Sequence, residues 1–197
     1  MKITNQKDFF NSSYEQWLLN LSDEKINIAK KTIEMLEVSK GSSVLDVGAG
    51  TGILFWVLRE KELKNYIAVD ISEKMLEELN RTFPEAETVC LDFDKKVELE
   101  KKFDYIIIFN SIPHFENLDV VFENAQKVLS DGGKFAIAHG RTREGLKEHH
   151  KKIGYSNGRD PIPSDNKLME LSKSYGFENV TIKDDEFFYF SCIKKGR

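Results

Sequence analysis

The sequence predicts a doubly wound α/β fold: a mostly parallel, seven-stranded sheet with an antiparallel strand near its end. Three observations carry this. Strand-like and helix-like segments alternate along the chain; the segment "YIIIF" is apolar without a break; and the glycine-rich stretch "VLDVGAGTG", Val44 to Gly52, joins the first strand to a helix. Alternation implies parallel strands linked by right-handed helical crossovers. An unbroken apolar strand is one covered on both faces.

The elements follow in order. Ile26, Ala29, Ile33 and Leu36 fall on one helical face, widened by Ile28 and Met35, with Ser22 and Asp23 as caps and Gly41 as the stop. "SVLDVG" is the first strand and "GILFWVLREKE" the helix after it. "NYIAVD" is the second strand, followed by a helix capped by Ser72 and running to about Phe83. "ETVCLD" and "FDYIIIFN" are the third and fourth strands. Asn117 opens a helix with apolar positions Val120, Val121, Ala125, Val128 and Leu129, and "DGG" turns the chain into the fifth strand, "GKFAIAH". "RTREGLKEHHKKIG" reads as helix, "YSNGRDPIP" as loop, and "SDNKLMELSKSYGF" as a helix capped by Ser164. "ENVTIK" and "EFFYFSCIKK" close the chain as a hairpin, which requires antiparallel pairing.

At 197 residues the chain fits one domain, 1–197, and its 40% apolar content argues against disorder. The net charge of -4 provides no chain-wide basic surface, so nucleic acid is not the expected partner. Cys90 and Cys192 lie in apolar strand text and read as small buried hydrophobes, not as a disulfide or metal pair. The first residues carry no apolar core of signal-peptide type, and no apolar run is long enough to cross a bilayer. A cytoplasmic setting, with no membrane partner, is the expectation. Nothing in the text specifies an oligomeric state.

Gly48, Gly50 and Gly52 stand between a strand and a helix. Glycine there permits positive φ and close approach of a ligand, and the helix start adds free N–H groups. Asp70 ends the next strand about 20 residues on, the usual place for an acid that chelates ribose hydroxyls; capping the helix after it is the alternative. Asp92 and Phe93 follow the third strand and could meet an adenine, or be a turn carboxylate and a core ring. Asn110 and Ser111 end the fourth. Gly52 takes the fifth place of the glycine pattern and Ile53 the sixth, where the dinucleotide fingerprint wants glycine, so a nicotinamide oxidoreductase is the weaker reading.

The motifs "VLDVGAGTG", "AVDIS", "CLDFD", "FDYIIIFNSIPHF" and "VLSDGGKFAIAH" resemble, in order and interval, those of class I S-adenosylmethionine-dependent methyltransferases, over Lys25 to His139. The resemblance implies a Rossmann-like sheet of seven strands with the last antiparallel, and S-adenosyl-L-methionine as cofactor. Gly48, Ala49, Gly50 and Gly52 would pass under its methionine part, and Asp46 would sit near its ammonium. Asp70 would hold the ribose, Ile71 and Met75 would line the adenine side, Asp92 and Phe93 would meet the adenine, and Asn110 and Ser111 would flank the sulfonium. Residues 1–22, with Phe9, Phe10, Tyr14 and Trp17, would form a lid over the core of 23–197, Tyr14 and Trp17 facing the substrate; packing onto the sheet is the alternative.

Methyl transfer asks the protein to align a nucleophile and exclude water. His114 and His139, near the fourth and fifth strand ends, are the candidate bases, although structural roles suit both. These two and the pair His149–His150 match no standard metal spacing, so no metal is expected. From His139 to Arg159 six basic residues stand against two acidic ones, making 140–164 a candidate acceptor-side insertion with Arg141 and Arg143 as substrate contacts; a solvated helix face is the alternative. The reading is a methyltransferase acting on a small, anionic molecule. A protein or nucleic-acid acceptor, or a non-catalytic cofactor-binding domain, remains as an alternative.

Overall fold

A computed structural model describes residues 6–18, 21–155 and 158–196. The helices are α1 (Gln6–Ser13), α2 (Asp23–Met35), α3 (Ile53–Leu58), α4 (Glu73–Thr82), α5 (Leu118–Val128), α6 (Arg143–Lys152) and α7 (Asp165–Ser174). The strands are β1 (Ser43–Val47), β2 (Asn65–Asp70), β3 (Glu87–Cys90), β4 (Phe103–Phe109), β5 (Leu129–His139), β6 (Phe177–Asp184) and β7 (Phe188–Lys194). Short 3-10 turns cover Tyr14–Trp17 and Ile112–His114.

The strands form one sheet in the order β3-β2-β1-β4-β5-β7-β6. β3 through β5 pair in parallel, and β7 runs antiparallel to both neighbours. The chain winds outward from β1 to β3, then returns to place β4 on the other side of β1. A cleft opens where winding reverses, because the crossovers on either side leave in opposite directions.

Each parallel strand buries alternate residues on opposite faces. Leu45, Val47, Ile106, Ile108, Phe135 and Ile137 pack with α5 and α7. Val44, Ile107, Phe109, Ala136 and Ala138 pack with α2 and α3, and Ala68 with α3 and α4. Ile106, Ile107 and Ile108 are fully buried, which is why "YIIIF" shows no polar alternation.

The caps behave as their chemistry requires. The hydroxyls of Ser72 and Ser164 accept from Met75 N and Lys167 N, and Asn117 Oδ1 accepts from Val120 N. Three expectations are corrected. α2 ends at Met35, before Gly41, because Glu37 takes the left-handed conformation (φ 59°) and Val38 N closes onto Ile33 O. "DGG" lies inside β5 as a bulge, since Leu129 already pairs with Phe103 and regular pairing resumes at Lys134 with Tyr105. Cys90 is exposed on edge strand β3, whereas Cys192 is buried between the sheet and α7.

Asn124 of α5, buried in the core, fixes the loop after β3. Its Nδ2 donates to Phe93 O (3.0 Å) and Lys95 O (2.8 Å), and its Oδ1 accepts from Val97 N (3.2 Å). Asn124→Ala leaves two buried backbone groups and one part-buried carbonyl unpaired and is predicted to cost about 2–4 kcal/mol in urea unfolding. A loss within experimental error would show that the loop finds other partners.

Candidate active site

Beyond the carboxyl ends of the five parallel strands β1 to β5 lies a cavity of about 680 Å³. Val47–Thr51, Val69–Ile71, Leu91–Asp94, Phe109–Ser111 and His139–Arg141 each contribute to its wall. Its volume is that of a small-molecule site, typically about 300–1,000 Å³.

The glycine loop is built by backbone bonds to β2: Gly48 N (2.8 Å) and Ala49 N (3.1 Å) both donate to Val69 O. Asp70 completes it. Its Oδ2 accepts from Gly50 N (2.9 Å) and its Oδ1 from Ser72 N (2.9 Å), so one carboxylate joins the loop to the start of α4. Burial raises the Asp70 carboxyl, and these N–H bonds pull it back down. Each carboxylate oxygen retains a further lone pair.

The glycines do different things. Gly50 (φ 55°) faces open space: a β-carbon there would meet nothing within 4 Å. Gly48 (φ 69°) faces Ser111, whose Cβ would lie 2.8 Å from an added β-carbon. Gly52 (φ 97°) turns toward Leu79 of α4 and Phe83 just after it, and does not line the cavity. Its role is packing the helix close to the strand.

Asp46 also lies off the cavity wall. Its carboxylate is 1% exposed and accepts from Tyr66 Oη (2.7 Å). Burial pushes it up to about 7, against the Tyr66 hydroxyl and with the help of the Asp70 charge. Ile71, Met75, Asp92, Phe93, Asn110 and Ser111 all line the cavity. Asn110 holds a left-handed conformation (φ 57°) and its Oδ1 accepts from Gly140 N (2.7 Å), tying the ends of β4 and β5 together. Ser111 Oγ donates to Val47 O (3.3 Å). Asp92 is ion-paired with Lys95 at 2.9 Å.

On the β5 side stand the imidazoles. His114 lies between the edges of Phe10 (4.9 Å between ring centroids) and Trp17 (6.1 Å), and its ring nitrogens have no hydrogen bond among the described residues. His139 Nδ1 accepts from Arg141 N (3.0 Å). Because the Arg141 N–H can only donate, Nδ1 presents its lone pair to it, and the neutral His139 ring carries its proton on Nε2 and offers no free lone pair. Burial holds both imidazoles down at about 4, reinforced by neighbouring positive groups, so both are neutral at pH 7. Among the described residues no group of three His, Cys, Asp or Glu side chains could hold a metal ion.

The basic block divides. Arg141 lines the cavity. Arg143 does not: it pairs with Asp165 (2.7 Å) and Asp184 (3.2 Å), donates from Nε to Pro163 O and lies over the Phe188 ring, binding α6 to α7 and β6. Lys147 pairs with Asp160. Of the N-terminal aromatics, Phe9, Phe10 and Trp17 line the cavity and Tyr14 does not.

The methyltransferase domain family matches residues 45–135. Phosphoethanolamine N-methyltransferase 1 of Zea mays is 26% identical over 175 residues, covering 84% of this chain and 34% of its own length. An uncharacterised Methanocaldococcus jannaschii protein, MJ1123, is 28% identical over 88% of this chain and 81% of its own. Phosphoethanolamine N-methyltransferase 2 of Haemonchus contortus, solved with phosphomonomethylethanolamine and S-adenosylhomocysteine, superposes with a TM-score of 0.73 at 19% identity, over 98% of this chain and 61% of its own. The methyltransferase-domain match thus covers just under half of the chain, and the fold is the one shared by these solved methyltransferases. The chain spans less than half the length of some curated relatives that it matches.

Sequence reasoning missed several residues that line or brace the cavity. Asp94 lines the cavity and accepts from Glu116 N (2.9 Å) and Asn117 N (3.0 Å). Thr51 Oγ1 donates to Trp17 O (2.8 Å), and Asn11 Oδ1 accepts from Ser72 Oγ (2.7 Å). These bonds join distant segments, for which local pattern carries no signal. The spacing of Leu146, His149, His150 and Ile153 did carry one: they form one helical face, and all four line the cavity.

The buried groups predict a pH signature. A carboxyl raised by burial binds its proton more tightly folded than unfolded, so Asp46 lowers stability as pH rises from about 4 to about 7. The two depressed imidazoles act oppositely: the unfolded chain binds more protons between about 4 and 6.5, so they raise stability over that window. Asp46→Asn removes only the first slope. In urea unfolding the variant should gain on wild type as pH rises through the window, and a pH-independent difference would contradict the assignment.

Proposed function

We propose that the chain transfers a methyl group from S-adenosyl-L-methionine to a small, anionic acceptor. The observation carrying this is the Asp70 carboxylate bonded to Gly50 N beside open space at the sheet's switch point. The residues fit the cofactor. Gly50 leaves room where a side chain would otherwise stand, Asp70 keeps lone pairs for a diol, and Ile71, Met75 and Phe93 supply apolar surface for a base.

When bound, the cofactor supplies a methyl group already activated on a sulfonium. The chain's residues supply placement. Asp70 orients the ribose, Asp92 accepts from the adenine amino group, and Asn110 and Ser111 border the transfer point. Asp46, out of the cavity, acts from beneath the loop through Tyr66 and the β1–β2 pair. Phe10 and Trp17 close the site as a lid held by the Thr51 and Asn11 bonds and by the Lys7–Glu73 ion pair. His114, neutral and open to the cavity, takes the acceptor proton where one is lost. His139 is a positioning residue that holds the backbone of Arg141, and Arg141 draws the acceptor's anionic group. Small acceptors such as phosphoethanolamine in the maize and Haemonchus relatives support a small-molecule substrate.

Calorimetry with S-adenosylhomocysteine and release of methyl from labelled S-adenosylmethionine test this reading. Asp70→Ala should weaken S-adenosylhomocysteine by about tenfold or more, since it removes a charge-assisted pair of acceptors. Equal affinity in the variant, or tighter binding of NAD than of S-adenosylhomocysteine by wild type, would refute it.

A further inference from the structure

The cavity is divided by charge. The carboxylates of Asp70, Asp92 and Asp94 line its β2–β3 end, while His114, His139, Arg141, His149 and His150 line its β5–α6 end. Glu24 and Lys25, adjacent in sequence and exposed, stand at the rim as opposite charges. The Arg141 guanidinium makes no hydrogen bond or ion pair among the described residues. α6 turns its lysines away from the cavity: Lys147, Lys151 and Lys152 do not line it.

Exposed apolar side chains adjoin these imidazoles: the Trp17 ring meets His114 (6.1 Å between centroids) and the Tyr155 ring meets His150 (4.8 Å). Among the described residues the exposed large hydrophobics are Trp17, Leu18, Ile153, Tyr155 and Met169. All but Met169 line this one cavity. Scattered exposed apolar residues need no explanation, but four that line one cavity call for one. Leu146 continues the apolar lining on the same face of α6 as Ile153. A small hydrophilic substrate has no use for such a lining; each apolar contact there pays only when an apolar body covers it.

We infer that the methyl acceptor is an amphiphile with one anionic group on Arg141 and an aromatic or otherwise bulky apolar body between Trp17–Leu18 and the Leu146–Ile153–Tyr155 wall. The inference rests on the proposed methyl-transfer reading for the role of the site, and it narrows the acceptor class. One free guanidinium calls for one carboxylate or phosphate. The neutral imidazoles of His114 and His139 add hydrogen-bonding capacity without a second charge, and among the described residues no carboxylate lines the β5–α6 wall, which favours an anionic over a cationic group there.

Four probes separate these features by calorimetry at saturating S-adenosylhomocysteine: 1-naphthoate, acetate, 1-naphthylmethylamine and phosphoethanolamine. 1-Naphthoate should bind at least about tenfold more tightly than each of the others, from charge and apolar burial together. Arg141→Gln should weaken 1-naphthoate about tenfold and leave 1-naphthylmethylamine unchanged. Ile153→Ser, at a position 59% exposed and so safe for folding, should weaken 1-naphthoate about threefold. S-adenosylhomocysteine affinity should stay constant in both variants. The inference is overturned if 1-naphthoate fails to bind, if acetate, phosphoethanolamine or the amine matches it, or if Arg141→Gln leaves it unaffected. Should wild type not bind S-adenosylhomocysteine, the methyl-transfer reading falls separately, and the same titrations on the cofactor-free protein still decide the acceptor class.

Discussion

The carboxylate of Asp70 sits at the convergence of three structural elements. It receives one N–H from the glycine loop after β1 and another from the start of α4, and it lies at the end of β2 beside the sheet's switch point. The Val69 carbonyl next to it receives two more loop N–H groups. The loop would otherwise carry unpaired backbone donors at a strand-to-helix junction. The loop's shape, the course of α4 and the open floor above Gly50 therefore depend on the same few atoms at the end of β2.

From that constraint the rest of the cavity follows. Parallel strands bring their carboxyl ends to one edge, so polar residues far apart in sequence meet there without any local instruction. Asn110, at a positive φ that few non-glycine residues adopt, spans β4 and β5 through Gly140 N. Asn124 secures the loop after β3 from within the core. The N-terminal segment is the least buried part: α1 contributes no buried residue, and its attachment to α4 and Thr51 is polar. Apolar burial holds the sheet and helices together, whereas hydrogen bonds to a few rim residues hold this segment in place. Segments attached in that way open at lower cost than the core.

The architecture was legible wherever it is periodic or capped. The apolar run of β4, the caps at Ser72, Asn117 and Ser164, and the hairpin of β6 and β7 are local signals, and the structure contains each. The end of α2 was not legible, because a left-handed Glu37 ended the helix where glycine was expected. In the site, the residues brought to the cavity by strand ends were foreseeable from order alone. Asp46, Gly52, Tyr14 and Arg143, expected at the site, lie off the wall; neighbouring side chains claim three of them: Tyr66 takes Asp46, Leu79 and Phe83 face Gly52, and Asp165 and Asp184 take Arg143. Ion pairs and side-chain hydrogen bonds between remote segments leave no periodic trace, so a basic run cannot reveal which of its members remains available to a ligand.

The most direct measurement of the central claim is a crystal structure grown with S-adenosylhomocysteine. The account predicts ribose hydroxyls within hydrogen-bond distance of the Asp70 carboxylate, the ligand's chain passing over Gly50, and the Gly50 N–Asp70 bond intact. A ligand whose sugar lies away from Asp70, or a loop that must release Asp70 to admit it, would contradict the account.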